Sequence, residues 1–172
     1  MARSDINPIL RRVDHLAKEI EVFVPIETKS IRFRADLAGL LVVSIAATYE
    51  SCVKETLMMY AAHHHVKFGN FTQRQFSRLN SRISISDLYG YARNFDGSVH
   101  QRFSDLMSIY KERYQLALGI DPSRSYSQIL SWRHDFAHAG IRNTTVEEAF
   151  ATHQLAKRVL YAFDKAFSGD LS

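Results

Sequence analysis

An arginine, an aspartate and two histidines crowd into "SWRHDFAHAG", Ser131 to Gly140: Arg133, His134, Asp135 and His138 beside Trp132 and Phe136. Imidazole exchanges protons near neutral pH, and guanidinium presents a planar fork of donors that fits a phosphate or a carboxylate. Together they suit proton transfer at a phosphate ester. At about 100° per residue, Ile129, Trp132, Phe136, Ala137 and Ala139 fall in one helical sector, and Arg133 projects into its middle. His134 and His138, four residues apart, share a flank that turns toward solvent or another subunit. A guanidinium aimed at apolar surroundings is costly unless a carboxylate, a phosphate or backbone carbonyls meet it. Two readings follow. Arg133 forms a structural ion pair, with Glu50 the candidate partner, and the histidines are ordinary surface residues. Alternatively, this face is a cleft or subunit interface in which Arg133 and His138 await a phosphate. Periodicity does not choose between them.

The elements that position this stretch read as helix after helix. Ile9, Val13, Leu16 and Ile20 recur at helical spacing until Pro25. From about Ser30 to His65 a long helix, with "LAGLLVVSIAATYESCV" in its middle, is apolar on most sides, as a central bundle helix is. Gly69 and Asn70 are expected to close it, and Thr72 with Gln75 to open a shorter helix through a capping box. Two further pieces break near Asp96 and Gly97, and "GIDPS" precedes a helix carrying the motif, which Gly140 ends. Thr145 and Glu148 form a second capping signal, opening a last helix that runs to about Phe167. No stretch alternates with period two for long enough to be a strand. The expected fold is all-α, an antiparallel bundle forming one domain, with a smaller helical insertion over about 71–118.

The totals set limits. With 172 residues and 46% hydrophobic side chains, the chain can close a core without disulfides or a structural metal. Seven glycines and three prolines are few breakers, in keeping with long helices. A net charge of +4 is compatible with a polyanionic partner without naming one. Cys52 is the only cysteine, which excludes an intrachain disulfide or a cysteine-rich zinc site. Arg11, Arg12 and Asp14 interrupt any N-terminal apolar run. The uncharged stretch between Asp36 and Glu50 falls short of the roughly 20 apolar residues that span a bilayer. A cytoplasmic protein without a membrane anchor is expected.

"RHDFAH", followed by a helix rich in alanine and aromatic residues, resembles the motif of the HEPN superfamily of helical ribonucleases and RNA-processing domains: an arginine, four to six residues, then a histidine. "RADLAGLLVVSIAATYESCVKETL", with Glu50 in its latter half, is similar to the long second helix of the RiboL-PSP and MAE-like HEPN groups. The resemblance spans Arg34 to about Phe167, with His134 in the polar place after the arginine. It implies an endoribonuclease that works as a homodimer, with two motifs facing one another across a cleft. RNA cleavage by the 2′-OH needs a base, an acid and positive charge at the phosphorane. His138 of each chain is implied as base and acid, and Arg133 as the group that orients and stabilises the phosphate. His134 is left with three roles open: contacting RNA, repelling charge on His138, or sitting at the rim. No metal and no cofactor are implied. The substrate would be RNA, and a toxin paired with an antitoxin protein, or an anti-phage effector, is the implied setting. Some HEPN toxins carry a modifiable tyrosine two residues after the motif histidine; here Gly140 stands there, which puts that regulation in doubt. The competing expectation is a HEPN-like module that binds RNA, nucleotide or protein without chemistry.

Other residues invite chemistry less strongly. Consecutive His63, His64 and His65 point about 100° apart on a helix and cannot all grip one ion. His153 falls in an apolar stripe, where a hydrogen-bonded core histidine is expected. Arg74, Arg78 and Arg82, spaced by four, form one cationic row for RNA if their helix continues.

Overall fold

The computed structural model describes residues 5–77, 79 and 82–169. Among them the chain forms seven helices: α1 (Asn7–Phe23), α2 (Ile31–His64), α3 (Val66–Phe76), α4 (Ile85–Phe95), α5 (Gly97–Leu118), α6 (Pro122–Ala139) and α7 (Val146–Ser168). The all-α expectation holds.

α1, α2, α6 and α7 build the bundle. Leu10, Val13, Ala17 and Ile20 bury one stripe of α1 against α2 and α7. α2 contributes buried residues along its whole length, from Ala38 through Val42, Ile45, Tyr49 and Val53 to Ala61. By length and composition α2 could also cross a membrane, but 50% of its apolar window is buried inside the bundle. It serves here as the central core helix. Two contacts fix the direction of α6 on α2. Tyr126 stacks on Tyr49 at 5.1 Å between ring centroids, with 7° between the planes, and Phe136 lies against Gly39. The two helices are therefore antiparallel. α7 runs back beside them, with His153 at Tyr49, Asp164 at Thr56 and Phe167 at Tyr60.

A buried polar chain crosses this core. Tyr49 and His153 share a 2.9 Å hydrogen bond at Nδ1, and Asp14 Oδ1 stands 3.7 Å from Nε2 on the other side of the ring. Burial, then the neighbouring Lys157 cation, holds the His153 pKa down at about 4, with Asp14 opposing. Burial likewise pushes the Tyr49 hydroxyl well above its ordinary range. The neutral pair thus has the tyrosine donating to Nδ1, which leaves Nε2–H facing Asp14. The core histidine expected at His153 is present.

Between α2 and α6, α3 folds back along α2, α4 packs on α5, and α5 packs on α7 and more lightly on α6. Here the structure corrects two expectations. α2 ends at His64, not at Gly69 and Asn70, and both of those residues lie inside α3. The break is made at His65, whose extended backbone and ring Nδ1, accepting from the Lys67 N–H at 3.1 Å, start the next helix. Thr72 therefore caps nothing. It is buried in the middle of α3, and its hydroxyl has no hydrogen-bond partner.

Candidate active site

α6 starts from Asp121, which accepts from the Ser123 N–H with Pro122 in the first turn. It stops at Gly140, whose φ of 63° is a left-handed cap that glycine adopts without strain. The Asp135 carboxylate accepts from the Asn143 amide at 2.9 Å and so ties the departing loop back to the helix. Thr145 then caps α7 by accepting from the Glu148 N–H at 3.1 Å. Phe136 is the point of closest approach to α2. A Cβ placed on Gly39 would lie 2.1 Å from Phe136 Cε2. Only glycine at that position lets the ring lie on the helix backbone.

On this scaffold the motif residues take up positions that angular counting foresaw only in part. Trp132, Ile129 and Tyr126 are buried, but Arg133 is half-buried at the edge of that arc and not at its centre. Among the described residues it makes no hydrogen bond and no ion pair. The pairing with Glu50 considered above is therefore not formed, although Glu50 itself is half-buried on α2 and has interactions of its own. The structural ion pair belongs to a different arginine. Arg34, buried at the start of α2, donates to the Val24 carbonyl and pairs with Glu147, joining α1, α2 and α7. A second pair, Arg142 with Asp36, fastens the loop after α6 to α2. Both arginines near the motif that carry structural duty are thus accounted for, and Arg133 is left with none.

His134 and His138 are exposed on the flank next to Arg133, with ring centroids 4.5 Å apart. Among the described residues, an exposed apolar strip runs along the two helices that Phe136 and Gly39 bring together. On α2 it consists of Phe33 and Leu40, each 56% exposed, with Ala47 one further heptad on; near α6 it continues with Ala137 and Ile141. The sequence signal for it was available. Phe33, Leu40 and Ala47 repeat at intervals of seven, which keeps them on one face of a helix. The general apolarity of α2 hides their spacing.

The other candidates separate from this site. Arg74 is exposed on α3 and Arg82 is exposed in the following connection; α3 stops at Phe76, so these two do not share one helix. Arg78 lies outside the described residues. His63, His64 and His65, where α2 gives way to α3, are all exposed. Among the described residues no three His, Cys, Asp or Glu side chains come together as a metal-holding group.

A seven-helix, all-α bundle with an Arg-x4-His motif free on its late helix has the form of a HEPN-type module. The chain matches the RiboL-PSP-HEPN family over residues 6–169, and it belongs to that family. No curated protein and no solved structure matches it.

Proposed function

We propose that the protein is a metal-independent endoribonuclease whose active site is completed by a second copy of the chain. The observation that carries this reading is Arg133, a half-buried guanidinium without a partner, beside two exposed imidazoles on a face edged by uncovered apolar side chains. A two-fold axis through that face would cover Leu40, Ile141 and Ala137, and would set two copies of Arg133 and His138 across one phosphodiester. One His138 takes the 2′-OH proton as the oxygen attacks phosphorus; the other protonates the departing 5′ oxygen. Arg133 holds the non-bridging oxygens through its forked donors and offsets their growing charge. The products are a 2′,3′-cyclic phosphate and a 5′-hydroxyl. His134, in ring contact with His138, helps to hold the RNA or relay a proton at the rim. Such an activity suits a toxin restrained by an antitoxin protein, or an anti-phage effector.

The test is incubation with single-stranded RNA in excess EDTA, with the fragment ends identified. Cyclic phosphate ends, lost in His138→Ala and Arg133→Ala variants that keep their helical signal, are expected. Leu40→Glu should yield a monomer without activity. Tight RNA binding with no cleavage under any of these conditions would favour a non-catalytic binding module instead.

A further inference from the structure

No aspartate or glutamate occurs between Glu55 and Asp87, while the same interval holds Lys67, Arg74, Arg78, Arg82 and three consecutive histidines. The fold gathers the front of this interval into one corner, where the end of α2 turns into α3. Lys67, Asn70, Phe71 and Arg74 lie on the same outward face of α3 and line a shallow cleft of about 270 Å³. Phe71 is 59% exposed. Neither Lys67 nor Arg74 has a carboxylate partner among the described residues. The opposite face of α3, with Thr72 and half-buried Phe76, is the one that packs inward. The exposed ring is therefore not spare core.

We infer that this corner is a second binding surface for single-stranded RNA, one that holds the strand away from the cut. Lys67 and Arg74 are seven residues apart, or about 10 Å along the helix, with Phe71 between them. That is a stacking platform flanked by two phosphate-neutralising cations, the combination by which proteins hold single strands without reading sequence. A duplex would keep its bases from Phe71. An acidic peptide would engage the cations but leave the ring without purpose. The corner is far from the motif. Phe136 at Gly39 and Tyr126 at Tyr49 place Arg133 near the level of Val42 on α2, and the run from there to His64 is roughly 30 Å at 1.5 Å per residue. A strand bound at both places would run along more than half of α2, so the corner would favour long substrates over short ones. This inference rests on the RNA-directed reading above, but its test does not need cleavage.

The test is fluorescence anisotropy of a labelled single-stranded RNA of about 16 nucleotides with the full chain carrying His138→Ala, over a series of salt concentrations. Lys67→Glu with Arg74→Glu should weaken binding at least tenfold and reduce the slope of log K against log salt by about 1.4, the value for two phosphate contacts on a single strand. Phe71→Ala should weaken binding about tenfold with the slope unchanged. Lys18→Glu with Lys29→Glu, the same charge change on exposed residues of α1 and the α1–α2 loop, controls for net charge. Three results would overturn the inference: unchanged affinity and slope in the α3 variants, an equal loss in the control, or binding to anionic vesicles and not to RNA. If the unsubstituted chain cuts no RNA but the α3 variants still lose binding, the ribonuclease reading falls and the corner stands.

Discussion

Gly39→Ala tests whether the motif helix is held where it is by one close contact. In most helices the change would stabilise, because glycine in a helix interior costs about 1 kcal/mol relative to alanine. Here the new methyl would meet three atoms of Phe136, at 2.1, 2.2 and 2.6 Å. Carbon atoms settle at about 3.5–4.0 Å, so the ring edge has to retreat by more than about 1 Å as a rigid unit. Overpacking of this kind costs about 1–3 kcal/mol, which outweighs or cancels the propensity gain. The expected net effect is a loss of about 0–2 kcal/mol. With Phe136→Ala already present the obstacle is gone, and Gly39→Ala should then stabilise by about 1 kcal/mol. A double-mutant cycle by urea unfolding reads the difference as a coupling of about 1–3 kcal/mol. Activity should respond more strongly than stability. Phe136 lies three residues after Arg133 and two before His138, and a misplacement of about 1 Å can reduce a rate by about 100-fold. If Gly39→Ala raises stability equally in both backgrounds, the contact does not hold the helix and the reasoning fails.

Three further outcomes follow from the same geometry. The His153 pKa is lowered from 6.5 to about 4, so the unfolded chain binds the extra proton, and its contribution to stability is complete above pH 6.5 and is lost as pH falls toward 4. Between pH 7 and pH 5 the loss is about 2 kcal/mol; it should be absent in His153→Gln, and an unchanged slope of unfolding free energy against pH in that variant would refute it. Cys52 is 1% exposed and its thiol is pushed up to about 12 by burial and by the charges of Asp164 and Glu55, so a thiol reagent at pH 8 should label it only as fast as the chain unfolds. Prompt labelling of the native protein would contradict that placement. Arg133→Lys keeps the charge but not the fork, and should lower kcat about 100-fold with KM little changed if the guanidinium acts on the transition state; an equal loss in KM alone would make it a binding group.

Much of this architecture was legible because it depends on local rules. Pro25, Gly119 and Gly140 end helices through backbone constraints that act wherever those residues fall. Asp96 and Thr145 start α5 and α7 through side-chain oxygens that accept backbone N–H groups, an equally local rule. The reading failed where a tertiary contact outweighed the local signal. Gly69 reads as a helix end, yet it sits inside α3, where a Cβ on it would lie 3.0 Å from Ala62 of α2. The true break, His65, belongs to a residue type with little capping preference. Arg133 was legible as an anomaly and not as a vacancy. Angular counting gives its direction on α6, but where the buried arc ends depends on how α2 and α7 flank that helix. Nor does the sequence show that Arg34, far away in the chain, is the arginine that forms a buried structural ion pair, with Glu147.

The contrast between those two arginines connects the fold to the proposed chemistry. Arg34 satisfies its charge inside one chain, with Glu147 and a carbonyl, and the price of burying it is met there. Arg133 is held in a helix with little freedom left: Tyr126 is stacked on Tyr49 and its hydroxyl donates to the Ile83 carbonyl at 2.8 Å, Phe136 is seated on Gly39, and Asp135 is tied to Asn143. The backbone that carries this guanidinium is thus held in place, and its donors are unused among the described residues, so they are available to a phosphate. The apolar strip beside it is modest. Phe33, Leu40 and Ile141 are each already about half covered, so burying what remains on two chains yields on the order of 6 kcal/mol, against an association cost of about 4–15 kcal/mol. On the proposed two-fold arrangement the strip aligns the chains but does not hold them tightly by itself. On that proposal, an anion shared by two Arg133 side chains would supply the remainder, and the RNA would help to assemble the site that cuts it.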